Sequence, residues 1–392
     1  MKTRNKQQNI PNGWVKKQLR EVVDFFNGKG HEKDIDENGN YVVVNSKFIS
    51  SNGKIKKYSN KFLVPLKKGD IAMVMSDVPN GKAIAKCFYV NKDNTYTLNQ
   101  RIGGFRAKGV SRKFLYLALS RNRYFLSFDD GVNQTNLRKD DILSCPMKFP
   151  PLLEQNRIAT VLETWDEAIE KLKKKIALKK NIKKGLMQQL LTGKKRLPGF
   201  SDEWKEVKLK DIAICLDAKR VPLNSDERSR MQGIIPYCGA NNIVDYVNDY
   251  LFDEDIILVA EDGGQFDEYQ NRPIAYRVYG KSWVNNHAHV IKANEKNSQD
   301  FLFYSTVHKN VLMYLNGGTR AKLNKSELLS IKYSVPELRE QKAIADILTS
   351  ADDEIAALQK KLTLWQEQKK YLLNNLVTGK IRTPEDLLEK VK

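Results

Sequence analysis

The sequence predicts an α+β protein in which two β-rich domains are separated by two long, antiparallel, coiled-coil-like α-helices, with an internal pseudo-two-fold repeat. The stretch that begins near Phe149 recurs without a gap 186 residues later, so that Gln155 matches Gln341. Both copies carry a helical heptad pattern, and both follow a segment of short β-branched and aromatic runs. A repeat of this length defines the architecture before any single motif is interpreted.

The repeated stretch is typical of a long helix. Its apolar residues recur in alternating steps of four and three, the pattern of helices that pack at a shallow angle. These residues are Ile158, Leu162, Trp165, Ile169, Leu172 and Ile176 in the first copy, and Ile344, Leu348, Ala351, Ile355, Leu358, Leu362 and Trp365 in the second. Pro150 and Pro336 suit a first helical turn, and Gly193 and Gly379 suit left-handed C-terminal caps. We expect two helices of about 40 residues, roughly 60 Å each, whose stripes pack together.

The domain boundaries follow from the repeat. We predict β-rich domains at residues 1–149 and 196–335, helices at 150–195 and 336–380, and a tail at 381–392. In each β-rich domain, runs of Val, Ile, Tyr and Phe broken by Asn, Gly and Asp predict short strands and tight turns.

The two β-rich domains resemble each other only at fixed points. Asn99 corresponds to Asn285 and Leu137 corresponds to Leu323, whereas the sequences between such positions are different in the two domains. We therefore expect these four residues to serve the scaffold. One scaffold used twice with different loops fits two related binding domains that recognise different things.

The composition favours a nucleic-acid partner. The 392 residues include 67 Lys and Arg against 47 Asp and Glu, a net charge of +20. An excess of this size indicates nucleic acid first and an anionic membrane surface second. The polar start, the lack of a long apolar run and four cysteines without CxxC spacing lead us to expect a cytoplasmic protein with reduced thiols.

Two motifs are weighed as catalytic centres and set aside. The run Phe26-Asn-Gly-Lys-Gly30 resembles an adenosylmethionine loop, but the chain has no Asn-Pro-Pro tetrapeptide to accompany it, so a turn is favoured. Asp253, Glu261 and Asp262 suggest a metal nuclease, but the lysine that should follow is absent, and a Gly-Gly turn explains them better. The sequence predicts no catalytic residue and no metal site.

The pair His287 and His289 is also weighed as a zinc site. Their alternation predicts that they share one face of a strand, without a third His, Cys or nearby acid to complete a ligand set. A hydrogen-bonded pair, or a His287 that faces DNA, is favoured over zinc.

Several loops combine glycine hinges with side chains that pair with base edges. Their DNA-binding candidates in the first domain are Lys54, Lys57, Tyr58, Arg101, Gln134 and Arg138. The candidates in the second domain are Asn241, Asn242, His287, Thr319, Arg320 and Lys322. The eight lysines of Lys171–Lys184 fit either a solvated helix surface or contact with DNA phosphates.

The doubled helix motif resembles the specificity subunit of type I restriction–modification systems. The residues that carry the resemblance begin at Pro151-Leu-Leu-Glu-Gln-Asn-Arg-Ile-Ala159 and Pro336-Glu-Leu-Arg-Glu-Gln-Lys-Ala-Ile-Ala345. The helix endings Leu190-Leu-Thr-Gly-Lys194 and Leu376-Val-Thr-Gly-Lys380 match as well. The first β-rich domain departs from the pattern, because it lacks the Pro-Tyr-x-Gly-Ala-Asn run found at Pro236–Asn241.

The resemblance implies a non-catalytic subunit with two target recognition domains, each reading one half of a split, asymmetric site in double-stranded DNA. It implies two methyltransferase (M) subunits and restriction (R) motor–nuclease subunits as partners, and no membrane partner. The assembled complex would be an adenine-N6 DNA methyltransferase and an ATP-dependent endonuclease. S-adenosylmethionine, ATP and Mg would belong to the partner subunits, and this chain would carry no cofactor.

Three alternatives stay open. An enzyme with its own methyltransferase or nuclease centre is disfavoured by the missing motifs. A non-specific DNA-bridging protein would share the charge and the helices, but it would not need two diverged domains. A specificity subunit that serves a fused restriction–methylation enzyme is a closely related alternative that the sequence does not exclude.

Overall fold

The computed structural model describes residues 10–79, 81–317 and 321–387 of the 392-residue chain. Of these residues, those within Met1–Lys171 and Leu362–Lys392 form one compact unit, and those within Leu172–Lys361 form another. We call them unit 1 and unit 2. Each unit comprises one β-rich head, residues 15–149 (head 1) or 205–335 (head 2), and segments of both long helices.

Head 1 consists of short strands with four short helices. Its elements in chain order are β1 Val15–Gln18, β2 Val23–Asn27, β3 Tyr41–Val44, α1 Ser46–Ser50, β4 Tyr58–Ser59, β5 Ile71–Val74, β6 Ser76–Asp77, β7 Cys87–Tyr89, β8 Tyr96–Leu98, β9 Ile102–Ala107, α2 Arg112–Leu119, α3 Arg123–Leu126, β10 Thr135–Asn136, α4 Lys139–Leu143 and β11 Pro146–Phe149. The long helix α5, Leu152–Leu190, follows.

Head 2 repeats this order with local changes. Its elements are β12 Lys205–Lys208, α6 Leu209–Ile212, β13 Ala213–Cys215, α7 Ser225–Arg230, β14 Gln232–Cys238, β15 Ile243–Val247, β16 Phe252–Asp253, β17 Ile256–Ala260, β18 Ala275–Val278, β19 Lys281–Val284, β20 Ala288–Ala293, α8 Gln299–Val307, α9 Lys325–Ser330 and β21 Lys332–Val335. The second long helix, α10, spans Leu338–Leu376.

The two heads share one sheet topology. The order β2-β9-β5-β7 in head 1 corresponds to β13-β20-β17-β18 in head 2, and both sheets are antiparallel. A second sheet contains one parallel pair in each head, β3 with β8 and β14 with β19. The first and last strands of each head pair with each other, β1 with β11 and β12 with β21. The predicted α+β class and internal repeat are confirmed.

The long helices have the predicted length and ends. Each contains 39 residues. Gly193 and Gly379 follow the helices with φ of +68° and +73°, the left-handed conformation that ends a helix and that only glycine adopts without strain. Among the described residues, no helix combines the length and apolarity that a membrane span needs.

Within each unit, the two helix segments run antiparallel. In unit 1, Asp166 of α5 forms an ion pair with Lys369 of α10, and earlier in α5 Arg157 donates to Thr383, which follows α10 (3.1 Å). In unit 2, Lys179 pairs with Glu354 and Lys183 with Asp352. In both units, later residues of α5 meet earlier residues of α10, as the heptad stripes predicted.

The apolar stripes also form part of the head cores. Ile158 and Leu162 are fully buried in the core of head 1, and Ile344 and Leu348 in that of head 2. Burial of one such side chain stabilises the fold by about 1.5–3 kcal/mol. Each head is therefore packed onto the helix that follows it, and the two cannot be separated without exposing apolar surface.

A buried glutamate joins three parts of the chain in each unit. In unit 2, the Glu340 side chain is 1% exposed and accepts two hydrogen bonds from the Arg196 guanidinium (2.7 and 2.8 Å) and one from Trp204 Nε1 (3.2 Å). In unit 1, Glu154 accepts the same bonds from Arg382 and Trp14.

The glutamine that follows each buried glutamate ties the head to the start of its helix. Gln155 Oε1 accepts from Ser111 N–H (2.8 Å), and its Nε2 donates to the Pro150 carbonyl. Gln341 accepts from Ser298 N–H (2.9 Å) and donates to the Pro336 carbonyl. The repeated Glu-Gln dipeptide is thus a structural motif.

We expect Glu340→Gln to lower the free energy of unfolding by about 2 kcal/mol, because the Arg196 guanidinium loses the buried charge that it faces. Urea unfolding followed by tryptophan fluorescence measures the change. Glu337→Gln is the matched control, since Glu337 lies three residues earlier on the exposed surface, and it should change stability by less than about 0.5 kcal/mol. Equal effects of the two substitutions would contradict the structural role of Glu340.

Candidate nucleic-acid interface

Three loops of head 2 meet where the buried strand β17 ends. Glu261 N–H donates to the His287 carbonyl (2.9 Å), and Leu323 N–H donates to the Glu261 carbonyl (2.8 Å). Asp262 pairs with Lys322 in an antiparallel bridge. These bonds hold the turn after β17, the loop before β20 and the segment before α9 side by side. We call this region the head 2 edge.

The turn between β14 and β15 joins the same edge. Asn241 Nδ2 donates to the Gly263 carbonyl (3.0 Å). The Asn242 carbonyl accepts from Gly239 N–H (2.9 Å), which closes the turn, and both asparagine side chains are exposed. A cavity of about 390 Å³ lies here, with Asn241, Gly263 and His287 in its wall. The structure thus brings together the predicted residues Asn241, His287 and Lys322, with Asn242 beside them.

A buried charge cluster lies beneath the head 2 edge. His289 Nδ1 lies 2.6 Å from Asp217, and Arg220 bridges Asp217 (3.3 Å) and Glu261 (2.7 Å). Lys322 Nζ reaches the other oxygen of Glu261 at 3.0 Å. The cluster links Lys322, on the candidate DNA surface, to the sheet below it.

The partners of the two buried acids offset the cost of burying them. Burial alone raises the pKa of Asp217, but hydrogen bonds from His289 and from Val290 N–H, together with the charge of Arg220, bring the pKa below its ordinary value. Burial also raises the pKa of Glu261, and hydrogen bonds from Arg220 and Lys322 lower it below the ordinary value overall. Both groups are therefore stable as carboxylates in the folded head.

The cluster has the composition of a metal site but not its chemistry. Ligand atoms of Asp217, Glu261 and His289 lie within 4.8 Å of one another. However, Arg220 and Lys322 already neutralise the carboxylates. In addition, His289 Nε2 lies 2.7 Å from the Leu323 carbonyl oxygen, within hydrogen-bond distance. With both imidazole nitrogens facing oxygen acceptors, no lone pair is directed at a cation.

The two histidines do not share a strand face, so that prediction was wrong. His287 precedes β20 and is half-exposed at the edge, where Nδ1 lies 2.8 Å from Asp262 Oδ1. His289 lies within β20 and is 1% exposed. The sequence also indicated no nearby acid, whereas Asp217 and Glu261 both lie beside His289. These acids are remote in sequence, and only the fold brings them together.

Head 1 has an equivalent edge. Met75 N–H donates to the Arg101 carbonyl (3.0 Å) and Leu137 N–H donates to the Met75 carbonyl (2.8 Å), as Glu261 does with His287 and Leu323. Ser76 pairs with Asn136, as Asp262 does with Lys322.

The anchors shared by the heads are scaffold residues, as predicted. Leu137 and Leu323 are buried and make the equivalent backbone bonds described above. Asn99 Oδ1 accepts from His31 N–H (3.1 Å), and Asn285 Oδ1 accepts from His287 N–H (2.9 Å).

The predicted residues of head 1 divide into two groups. Arg101 and Gln134 lie at the edge, and Gln134 Nε2 donates to Ser76 Oγ (2.7 Å), while Arg138 is exposed immediately before α4. Lys54 and Lys57 are exposed in the connection between β3 and β4, which corresponds to the Asn241–Asn242 turn.

Two further predictions have different outcomes. Tyr58 is half-buried in β4 and packs against the head 1 core, so it contributes more to the scaffold than its loop position suggested. Thr319 and Arg320 lie outside the described residues. Sequence reasoning missed Asp217 and Arg220, for which no local motif gives a signal. It considered Asp262 only as a nuclease ligand.

The rejected cofactor motif is the end of a strand, so the prediction of a turn was wrong. Strand β2 ends at Asn27, and Lys29 forms a parallel bridge to Asn99. A Cβ on Gly28 would lie 1.9 Å from the Asn99 carbonyl oxygen, so the glycine is required by this close backbone approach. The first described helix after it, α1, begins only at Ser46.

Comparisons with known proteins agree with this architecture. The family model for the type I restriction modification DNA specificity domain matches twice, at residues 11–180 and 201–364. A putative type I restriction enzyme specificity subunit of Haemophilus influenzae is 40% identical over 154 residues, which is 39% of this chain and 38% of that protein. The MjaVIII specificity subunit of Methanocaldococcus jannaschii is 24% identical over 413 residues, 95% of this chain and 94% of its own length.

Solved structures share the fold. An S subunit of a type I restriction–modification system from M. genitalium has a TM-score of 0.59 at 19% identity, with 96% of this chain and 98% of that chain covered. The HsdS subunit from Thermoanaerobacter tengcongensis has a TM-score of 0.52 at 16% identity, with 96% and 99% covered.

Two β-rich heads that alternate with two long helices define a DNA specificity protein of the type I restriction–modification class. The doubled family match covers most of the chain. The chain therefore belongs to the family of type I restriction–modification specificity subunits, the DNA-recognising and non-catalytic component of those systems.

The depressed pKa values of Asp217 and Glu261 predict a pH dependence for head 2. Carboxylates with a lowered folded pKa stabilise the fold above their unfolded pKa, about 4, and this contribution is lost as the pH falls through the folded pKa. We expect Asp217→Asn to be less stable at pH 7 by about 1–3 kcal/mol and to lose less further stability between pH 6 and pH 3 than the native chain. Urea midpoints across this range measure the effect.

The exposed Asp226 provides the matched control for this experiment. Asp226→Asn should follow the native pH profile. Parallel profiles for Asp217→Asn and the native chain would show that the buried cluster does not contribute to the pH dependence.

Proposed function

We propose that this chain reads a bipartite, asymmetric DNA site, with one half-site for each head. The observation that carries the proposal is the repeated edge. The same backbone bonds hold it in both heads, whereas its exposed side chains differ: Arg101 and Gln134 in head 1, and Asn241 and His287 in head 2. A constant frame with different hydrogen-bonding groups is what two different sequences require.

The DNA contacts that we propose are the predicted residues, with two different roles. Lys54, Lys57 and Arg138 suit phosphate contacts, because they are exposed cations. Arg101, Gln134, Asn241, Asn242 and His287 suit base edges. Lys322 is oriented by Glu261, and Thr319 and Arg320 belong to the same loop in sequence. Tyr58 is a weaker candidate for a DNA contact than the other residues, because its side chain packs against the head 1 core.

The long helices are proposed to set the distance between the half-sites. A helix of 39 residues is about 58 Å long, and DNA half-sites one helical turn apart are separated by about 34 Å. The lysines of α5 serve partly in helix pairing, since Lys179 and Lys183 form ion pairs with α10. The remaining lysines of that run suit sequence-independent attraction to phosphates.

The chain is proposed to act with two methyltransferase subunits and with restriction motor–nuclease subunits. A groove of about 480 Å³ in unit 1, with Trp165, Leu364 and Tyr371 in its wall, offers a docking surface for such a partner. Leu364 is 51% exposed and Tyr371 is 61% exposed. S-adenosylmethionine, ATP and Mg are proposed to bind to the partners, which would methylate adenine at N6 or cleave DNA. The partners are separate subunits or one fused enzyme.

Mapping of methylated adenine tests this proposal. Co-expression of the chain with the methyltransferase subunit of its host should give a two-part motif with a fixed gap in long-read sequencing of the genome. Arg101→Ala should relax only one half of the motif, because it lies in one head. If the co-expressed chain is folded and binds DNA but no methylated motif is found, the result would instead favour a non-specific DNA-bridging protein.

Matched insertions test the role of the helices. One heptad inserted before Lys175 and another before Lys361, the equivalent position of the repeat, keep the seam in register. Seven residues add about 10 Å, so we expect the gap in the methylated motif to lengthen by about 3 base pairs at 3.4 Å each, with both half-site sequences unchanged. An unchanged gap would refute the spacing role.

A further inference from the structure

One position at the edge carries opposite hydrogen-bonding chemistry in the two heads. Arg101 and His287 are structurally equivalent, because the carbonyl of each accepts a hydrogen bond from the first residue after a buried strand, Met75 or Glu261. Arg101 is exposed, and 46% of the His287 side chain is exposed. Both side chains are therefore available to a ligand at the same place in the scaffold.

The neighbouring residue decides what His287 offers. Asp262 Oδ1 lies 2.8 Å from His287 Nδ1. An ionised carboxylate only accepts hydrogen bonds, so the proton of the neutral imidazole is held on Nδ1 and Nε2 carries the lone pair. No hydrogen bond joins Nε2 to any residue that the structure describes. His287 thus presents an acceptor.

A second acceptor lies in the wall of the same cavity. Asn241 Nδ2 donates one of its two hydrogens to the Gly263 carbonyl at 3.0 Å, and this bond directs the amide group so that its oxygen is available as an acceptor. The cation in the same wall, Arg228, is already bonded to Asp245 (3.1 Å) and to the Leu223 carbonyl (2.7 Å). The two neutral acceptors at the edge are therefore suited to a hydrogen-bond donor.

Head 1 has the opposite polarity at this position. The guanidinium of Arg101 only donates. Ser76 stands where head 2 has Asp262, and its hydroxyl is bonded to Gln134 Nε2 at 2.7 Å. Head 1 therefore lacks the carboxylate that would orient an imidazole as an acceptor there.

We propose that this position determines the class of base that each head reads. His287 accepts a hydrogen bond from the exocyclic amino group of adenine (N6) or cytosine (N4) in the major groove. Arg101 donates to the keto oxygen of guanine or thymine, or to guanine N7. The assignment rests on the proposed function, since it requires that both edges contact bases.

Duplexes with base analogues test the assignment once the methylated motif is known. In each duplex, one adenine of the head 2 half-site is replaced by purine, or one cytosine by 2-pyrimidinone, so that a single amino group is removed. The native complex with its methyltransferase subunit should bind one of these duplexes about three- to tenfold more weakly than the natural duplex, the loss expected for one hydrogen bond. The complex with His287→Ala should bind that duplex and the natural one with less than a twofold difference.

The comparison isolates the hydrogen bond, because weaker base pairing in the analogue affects both complexes equally. Arg101→Ala is the control and should keep the native penalty in the head 2 half-site. If every analogue penalty is the same in His287→Ala as in the native complex, the assignment is overturned. A native complex that does not prefer the natural half-site to a scrambled one would instead refute the proposed function.

A second pair of variants separates the tautomer from the presence of the ring. Asp262→Asn keeps His287 but provides a donor to Nδ1, so Nε2 can carry the proton and the amino preference should be lost. Ser76→Asp combined with Arg101→His installs the acceptor in head 1. One position of the head 1 half-site should then change from G to A or from T to C in the methylated motif. An unchanged motif with full methylation would contradict the assignment.

Discussion

The structure depends on a buried glutamate that appears twice. Glu154 and Glu340 are each almost completely buried at the start of a long helix, and each is bonded to the tryptophan that precedes a head and to an arginine that follows a long helix. A carboxylate in this environment is tolerated only when it is paired and hydrogen-bonded. The bonds of each glutamate therefore join the beginning of a head to the helix after it and to the end of the other helix.

The arginine comes from the other repeat. Arg382, which follows α10, serves Glu154 of unit 1, and Arg196, which follows α5, serves Glu340 of unit 2. The structural repeat therefore begins with a helix end and continues through a head to the start of the next helix. The copy in unit 2 runs continuously from Arg196 to Glu340, whereas the copy in unit 1 is completed by Arg382, which lies 228 residues after Glu154.

This rigid frame leaves the edges of the heads free to differ. Leu137 and Leu323 make equivalent backbone bonds in the two heads, and so do the N–H groups of Asn99 and Asn285, which donate to the carbonyls of Val44 and Cys238. The residues beneath the two edges differ. Head 2 has a buried charge cluster under its edge, whereas head 1 has Met75 and Gly103 at the positions of Glu261 and His289. Similar backbones can thus present donors in one head and acceptors in the other.

The sequence alone determined the repeat, the heptad seam, the helix caps and the strand-rich heads, because local periodicity and short turns encode all of these features. It also determined the family. It did not determine the charge cluster of Asp217, Arg220, Glu261, His289 and Lys322, nor the carboxylate that orients His287. Those contacts join residues separated by up to 72 positions, from Asp217 to His289, and no local pattern records them. Only the tertiary structure decided them, because hydrogen-bond chemistry at the edge depends on which side chains the sheet brings within about 3 Å.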